Sequence, residues 1–386
     1  MNKVKLSTLL TIKNGKKYSH LQHGDIPVYG SGGLMTYVND YLYDRESILL
    51  PRKGTLDNIQ FVNEKFWTVD TIYYTEVNPK VNGYFLYNYL RLLNLSGLDS
   101  GSTLPSMTQT SYYDIDINLP ERYIQDRIAE IVLNIDKKIE LNSKINAELE
   151  ALTKLIYDYW FVQFDFPNGN GKPYKLSGGK MVWSEELNRE IPEGWSVKNI
   201  SDCLTTSLGG TPSTKIEEYW NDGDIPWLSS EEVSDFPILS SNKKISRAGL
   251  KNSATSLLPE GSVVISIVRY IRTSILGMQA TTNQSVVAIL ESDLLKKSYI
   301  YPFLISKTPK LMLLRTGAQQ PHINKNVIDT TQILIPDEKV LRDYYELVNP
   351  MYEHIISIAA ETKKLTELRD WLLPMLMNGQ VKVQEN

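Results

Sequence analysis

The chain repeats itself, and this duplication limits the folds open to it more than any other feature. Gly24–Gly33 reads GDIPVYGSGG, and Gly223–Glu232 reads GDIPWLSSEE, at an offset of 199. Later, residues 101–120 align with residues 317–336 at a constant offset of 216, so the second copy carries insertions between these landmarks. Two copies are too few for a solenoid, so the sequence predicts two similar globular units.

Each copy has the pattern of an α+β unit. Short apolar runs bounded by turn residues, such as SILLP at 47–51 and SVVISIV at 262–268, are typical of buried strands. With 386 residues, 42% of them apolar and 22% charged, the chain is long enough for two ordered units and too apolar for disorder.

A helical pattern follows each copy, beginning after Pro120 and after Pro336. Apolar residues at alternating spacings of three and four predict two long helices that pair antiparallel as a coiled-coil spacer. Because proline is unfavourable inside a helix, Pro350 predicts a short helix, then a kink or a break, and then a long helix. The first stripe is Ile124, Ile128, Ile131, Ile135, Ile145, Leu149, Leu152 and Ile156, and the second is Val340, Tyr344, Leu347, Met351, Ile358, Leu365, Leu368 and Leu372.

Four polar residues interrupt these stripes near their middles: Lys138 and Asn142 in the first, His354 and Glu361 in the second. A polar residue in a helical seam costs stability and can select one register. We therefore hypothesise that these residues align the two helices. The alternative, equally compatible with the pattern, is that they lie at the exposed edges of the stripes.

The predicted organisation has six segments. They are a first unit at 1–120, a first helix at 121–160, a linker at 161–190, a second unit at 191–336, a second helix at 337–379 and a tail at 380–386.

The linker region carries a recognisable combination of motifs. WFVQFDFP, GKPYKLSGGKMVWSEEL and IPEGWSV, all within residues 159–198, resemble the central region of the DNA-specificity subunit of type I restriction–modification systems. The resemblance extends over nearly the whole chain. It implies two target-recognition domains that each read one half of a bipartite site in double-stranded DNA. It also implies that two methyltransferase subunits bind the scaffold and that two motor-nuclease subunits can join.

The sequence lacks the catalytic and nucleotide-binding motifs expected of a DNA methyltransferase or a motor ATPase. There is no Pro-Pro dipeptide, which an adenine-N6 methyltransferase tetrapeptide contains, and no GxxxxGK[ST] phosphate loop. A single cysteine and four histidines show no zinc-binding spacing, and no apolar run is long enough to cross a membrane. We therefore expect a non-catalytic cytoplasmic subunit without a cofactor or a membrane partner. The alternatives are a stand-alone DNA-modifying enzyme and a coiled-coil scaffold that does not read DNA.

Charge predicts how such a chain would bind DNA. Residues 1–120 hold eleven Lys and Arg against eleven Asp and Glu, and residues 190–336 hold fourteen against fourteen. Neutral units have little general affinity for phosphates. We therefore expect local basic patches, weak DNA binding by the isolated chain and tight binding by the complex.

Base contacts are expected from polar and cationic residues in loops, because Arg, Lys, Asn and Gln pair with base edges and Ser and Thr are adaptable donors. A solvated loop or a turn cap is the alternative for each residue. The arginine and lysine pairs are the strongest candidates, because they follow matching strands. The candidates are Ser31, Tyr37, Arg52, Lys53, Thr103 and Gln109 in the first unit, and Thr211, Ser213, Thr214, Lys215, Arg269, Tyr270, Arg272, Thr273, Gln319, Gln320 and His322 in the second.

Aromatic residues at the ends of the two helices suggest a surface for partners, since aromatic side chains are enriched at interfaces. The alternative is that they pack within the chain. The candidates for methyltransferase contact are Tyr157, Trp160, Phe161, Trp371 and Leu372.

Overall fold

The computed structural model describes residues 2–93, 95, 105–317 and 319–381. Chain contacts divide it into two units. Unit 1 consists of residues 1–140 and 364–386, and unit 2 of residues 141–363.

Unit 1 is built on antiparallel strands with short helices against them. Its four-stranded sheet has the order β2-β8-β5-β6, its three-stranded sheet the order β4-β3-β7, and β1 pairs with β9. The strands are β1 (Asn2–Lys5), β2 (Leu10–Asn14), β3 (Ile26–Gly30), β4 (Gly33–Val38), β5 (Ser47–Pro51), β6 (Gln60–Val62), β7 (Trp67–Thr68), β8 (Ile72–Val77) and β9 (Asp116–Leu119). The short helices are α1 (Gly83–Arg91) and α2 (Gln109–Tyr113), and α3 (Arg122–Tyr157) begins in this unit.

Unit 2 begins with a hairpin of β10 (Met181–Ser184) and β11 (Arg189–Pro192). Its later strands are β12 (Ser196–Asn199), β13 (Thr205–Leu208), β14 (Ile225–Leu228), β15 (Lys243–Ile245), β16 (Val263–Ser266), β17 (Thr273–Ile275), β18 (Thr281–Thr282), β19 (Val286–Leu290) and β20 (Gln332–Ile335). Its helices are α4 (Ile200–Cys203), α5 (Arg247–Lys251), α6 (Lys297–Leu313), α7 (Lys325–Asp329) and the start of α8 (Glu338–Met377).

The two units share one topology, which confirms the predicted duplication. The sheets of unit 2 have the orders β13-β19-β16-β17 and β15-β14-β18, and β12 pairs with β20. Each strand from β12 to β20 therefore has a counterpart in the same place in unit 1, whereas the hairpin of β10 and β11 has none. The offset of 216 recurs in α2 and α7 and in β9 and β20. The predicted α+β class is likewise confirmed.

Of the kink or break expected near Pro350, the break was wrong, because α8 runs without interruption from Glu338 to Met377. Pro350 is exposed, whereas Val348 and Tyr352 on either side of it are buried in the core of unit 2. A proline inside a helix costs about 3 kcal/mol, and burial of one large apolar side chain contributes about 1.5–3 kcal/mol. Packing on both sides of the proline therefore offsets its cost.

The predicted apolar stripes located the two long helices correctly, but only some of the stripe residues are buried. Leu152, Leu347 and Leu368, each placed in a stripe, are 42%, 44% and 45% exposed. Two stripe residues of α8 in unit 2, Tyr344 and Ile358, are buried as predicted. In place of Leu347 and Met351, the next residues along the chain, Val348 and Tyr352, are buried, and Leu341 and Ile355 are buried as well.

Within unit 2, α3 and α8 run antiparallel, as predicted. Asn142 Nδ2 donates to Glu361 Oε2 at 2.8 Å, and Asn146 Nδ2 donates to the Ile355 carbonyl at 3.2 Å. Of the four polar interruptions, Asn142 and Glu361 are thus brought into contact, and Asn142 is only 1% exposed. His354 is exposed, as the alternative interpretation expected.

Replacement of Asn142 by leucine is expected to raise the melting temperature and to loosen the register of the helices. The Oδ1 atom of Asn142 is buried without a hydrogen-bond partner, so an apolar side chain removes a desolvation cost. It also removes the polar contact that favours one alignment. Thermal unfolding measures the first effect, and hydrogen exchange along both helices measures the second. The control is Glu361→Gln, which keeps a hydrogen-bond acceptor, and a lower melting temperature with unchanged exchange would contradict the hypothesis.

Candidate nucleic-acid interface

The strands β5 and β16 are equivalent, and each ends in a loop held in the same way. The N–H of Gly54 donates to the Pro105 carbonyl at 3.0 Å, and the N–H of Arg269 donates to the Pro321 carbonyl at 2.7 Å. Both donors have left-handed backbone, with φ of 91° at Gly54 and 60° at Arg269.

A second pair of backbone hydrogen bonds repeats two residues further along. Met107 N–H donates to the Arg52 carbonyl at 3.1 Å, and Ile323 N–H donates to the Ile267 carbonyl at 2.9 Å. Each of these two loops is therefore held against a second segment by the same two contacts. The predicted pairs Arg52–Lys53 and Arg269–Arg272 lie in matching loops but not at matching positions. By these hydrogen bonds, Arg52 corresponds to the buried Ile267.

In unit 2 this loop forms one wall of an open cleft of about 410 Å³. Four predicted residues line the cleft, namely Arg269, Tyr270, Arg272 and Gln320. The guanidinium of Arg272 lies 5.4 Å from the centre of the Tyr270 ring, a cation–π distance that supports the side chain in an exposed position. The cleft thus combines planar donors with an exposed aromatic ring.

Val268 also lines the cleft, together with three polar residues that were not predicted: Ser230, Glu231 and Ser285. The repeat itself carried the signal for Ser230, because Ser31 plus the early offset of 199 leads to it. Serine and glutamine offer both donors and acceptors, and a carboxylate accepts from cytosine N4. The mixture suits the edges of bases better than a row of phosphates, which would be repelled by Glu231.

The other candidates of unit 2 lie around this cleft or away from it. Thr211 donates its hydroxyl to Gln284, the neighbour of Ser285, while the Ser213 carbonyl accepts from Trp220. Thr273, on β17, is only 6% exposed, and its hydroxyl is buried without a hydrogen-bond partner. This residue therefore offers little surface to DNA. Thr214, Lys215, Gln319 and His322 are exposed, and His322 Nδ1 is 3.0 Å from the Gln320 carbonyl.

In unit 1 the structure brings Ser31, Arg52 and Lys53 to one end of the sheets. The N–H of Ser31 contacts the Thr71 hydroxyl at 3.4 Å, and the N–H of Arg52 donates to the Thr71 carbonyl at 2.9 Å. Asn58, which was not predicted, donates its amide to the Ser31 carbonyl at 2.7 Å. It could have been found from its place in the loop that follows PRKGT.

The remaining candidates of unit 1 are dispersed. Tyr37 lies opposite Pro27 on the edge strand β4 and is exposed. Gln109 begins α2, and its amide donates to Asn14 at 3.2 Å. Thr103 lies outside the described residues.

The predicted partner residues divide sharply by burial. Tyr157, Trp160 and Phe161 lie in the core of unit 2, at the end of α3 and in the π-helical turn Asp158–Val162 that follows it. Side chains this buried have no surface for a partner, so the packing alternative describes them. In unit 1, Trp371 is 64% exposed and Leu372 is half-buried, which leaves Trp371 as the accessible aromatic of the set.

The described part of the chain contains neither a membrane-spanning helix nor a metal-binding cluster. No helix there combines the length and apolar character needed to cross a membrane. No group of His, Cys, Asp and Glu side chains in the same residues is arranged to hold a metal ion.

Comparisons with known proteins agree on one family. The family described as the type I restriction modification DNA specificity domain matches residues 1–151 and 192–364. The type I restriction enzyme MjaIX specificity subunit of Methanocaldococcus jannaschii is 27% identical over 296 residues, which are 75% of this chain and 66% of that one. The HindI specificity subunit of Haemophilus influenzae is 25% identical over 72% of each chain.

The fold is shared with a solved structure. The crystal structure of a type I restriction–modification S subunit from M. genitalium has a TM-score of 0.66 to this chain at 13% identity, over 97% of this chain and 95% of that one. The expectation of a specificity subunit, and not a methyltransferase or a motor, is confirmed by the family match across both halves. The duplicated chain belongs to the DNA-specificity subunits of type I restriction–modification systems.

Proposed function

We propose that each unit reads one half of a bipartite site in double-stranded DNA through its equivalent loop. The observation that supports this most is that one backbone arrangement, with paired contacts to Pro105 and Pro321, carries different side chains in the two units. Because the two loops have the same backbone arrangement, each unit would place its side chains against DNA in the same way. Because the side chains differ, the two units would select different bases. Arg52 and Lys53 would act in unit 1, and Arg269, Arg272 and Gln320 in unit 2.

The proposal extends to the assembly. The antiparallel helices would set the spacing of the half-sites, two methyltransferase subunits would dock on the scaffold, and two motor-nuclease subunits could join. Trp371 is the favoured contact for a methyltransferase, because a large exposed aromatic residue is costly in water and common at interfaces. The chemistry would then belong to the partners.

Long-read sequencing that detects methylated bases tests the central claim. Cells would express the chain together with the methyltransferase subunit of its system, with the methyltransferase alone as the control. The expected result is adenine methylation in a split motif with a fixed gap, and only when this chain is present. A continuous motif, or methylation without the chain, would instead favour a scaffold that does not read DNA.

Arg269 offers a substitution that separates reading from folding. Left-handed backbone costs a non-glycine residue about 1–2 kcal/mol, and unit 1 has Gly54 at the equivalent point. Arg269→Gly is therefore expected to keep or raise the melting temperature while it weakens recognition of one half-site. Arg269→Ala keeps the strain and removes the guanidinium, so it serves as the control. Unchanged methylation with Arg269→Gly would remove Arg269 from the reading surface.

A further inference from the structure

A second cleft of unit 2, of about 350 Å³, gathers three cations. Arg189 comes from β11, and Lys307 and Lys310 come from the second half of α6. The segment that follows α7 closes the cleft with Thr330, Thr331 and Gln332. None of these residues was predicted from the sequence to bind a ligand.

Two of the three cations make carbonyl or aromatic contacts within the protein, whereas Lys310 is exposed. Arg189 donates to the Val162 carbonyl at 2.8 Å and lies 4.4 Å from the centre of the Phe164 ring. The ammonium of Lys307 lies 5.3 Å from the centre of the Phe303 ring. Across the described residues, none of the three forms an ion pair with a carboxylate. Glu186 also lines the cleft, and its carboxylate accepts from the Ser184 hydroxyl at 2.8 Å.

The crowding and burial of these cations change the pKa values of two of them, Lys307 and Arg189. Burial, with the nearby charges of Lys310 and Arg189, lowers the pKa of Lys307. Burial also lowers the pKa of Arg189. Like charges that are gathered and partly desolvated favour an anion between them, because the anion restores the lost solvation and removes the repulsion.

The cleft shares helix α6 with the loop proposed to read bases, which indicates the kind of anion that it binds. Lys310 lies two residues before Met312 on α6, and Met312 Sδ accepts from the N–H of Ile271 at 3.5 Å. Beyond the end of α6, the guanidinium of Arg315 donates to the Arg269 carbonyl. The helix that carries the lysines therefore also supports the loop proposed to read bases. From Lys307 to Met312, at a rise of 1.5 Å per residue, is about 7–8 Å along the helix.

We propose that Arg189, Lys307 and Lys310 bind a backbone phosphate of the DNA beside the half-site that unit 2 reads. This inference rests on the proposed function. It also accounts for DNA binding by a unit in which basic residues do not outnumber acidic ones, because the charge that binds the backbone is concentrated in one cleft. Phosphate contacts of this kind orient a protein on the duplex and carry no sequence information.

The test replaces both lysines, as Lys307→Gln with Lys310→Gln, in the chain co-expressed with its methyltransferase subunit. Lys172→Gln with Lys175→Gln is the matched control, because these exposed linker lysines give the same change in net charge. Binding to two duplexes, one with the methylated motif and one without it, is measured over a series of salt concentrations. The variant is expected to bind both duplexes about tenfold more weakly and to lose about one to two units of salt slope. The control variant is expected to match the unaltered chain.

An unchanged salt slope, or a loss confined to the motif duplex, would overturn the inference. Binding of pyrophosphate that depends on the two lysines, without any change in DNA affinity, would overturn it in favour of a small-anion site. The methylated motif is read separately in the same complex. A split motif with an unchanged slope refutes only the phosphate contact, whereas a reduced slope without a split motif refutes only the two-reader proposal. Equal melting temperatures of the two double variants show that loss of folding is not the cause.

Discussion

Replacing Arg272 by alanine is expected to remove recognition of one half-site and to leave the other half-site intact. The guanidinium projects into the cleft of unit 2 over the Tyr270 ring, beside Gln320 and Glu231. A bidentate contact between an arginine and a base contributes about 1–3 kcal/mol of discrimination, which is roughly 5- to 150-fold in affinity. Methylated-base sequencing would show a motif degenerate at one end, or the loss of methylation at sites that depend on that end.

Two companion variants sharpen this experiment. Arg272→Lys keeps the charge but loses the planar fork, so it should resemble the alanine variant if a base is read and the unaltered chain if a phosphate is bound. Arg247→Ala removes an exposed arginine of α5 in the same unit and should leave the motif unchanged. Equal losses at both half-sites with Arg272→Ala would argue for a scaffold role of this loop.

Replacing Phe161 by alanine is expected to destabilise unit 2 by about 3–5 kcal/mol, the usual cost of removing a buried phenylalanine side chain. Phe161 is 4% exposed, and its ring centre lies 4.8 Å from those of both Tyr299 and Tyr344. At about 2–4 °C per kcal/mol for a unit of this size, the melting temperature should fall on the order of 10 °C. Thermal unfolding monitored by circular dichroism measures the change.

Trp371→Ala is the matched variant, because it removes an aromatic side chain that is 64% exposed. Its melting temperature should stay within about 1–2 °C, since exposed substitutions usually change stability by less than 0.5 kcal/mol. Its co-purification with the methyltransferase subunit should fall if Trp371 is a docking residue. A large loss of stability with Trp371→Ala and none with Phe161→Ala would reverse both assignments.

The larger features of this protein could be predicted because they are written in local patterns. The offset between GDIP at 24–27 and GDIP in the second half predicts two copies without knowledge of either fold. The periodic apolar residues after Pro120 and Pro336 predict long helices, because burial along one face requires that spacing. The antiparallel pairing, borne out by Asn142 and Glu361 in unit 2, follows from the two matching stripes.

Helix continuity at Pro350 and the burial of the aromatic residues could not be predicted from local patterns, because both depend on contacts between residues far apart in the sequence. Pro350 by itself predicts a kink or a break, and α8 continues through it because Val348 and Tyr352 pack in the core on either side. The aromatic residues at Tyr157–Phe161 could pack or stay exposed with the same sequence, and it is the tertiary fold that buries Tyr157, Trp160 and Phe161 in the core of unit 2.

The sequence alone thus determined the duplication, the α+β class, the helices and the family, since these depend on repetition, periodicity and motifs along the chain. The tertiary structure decided which residues share a cleft. It brought Ser230 and Ser285 beside Arg272, and Arg189 beside Lys307, although these residues are far apart in sequence. The physical reason is that a cleft is defined by distances across the fold, which are set by strand pairing and by the packing of α6, and no spacing along the chain encodes them.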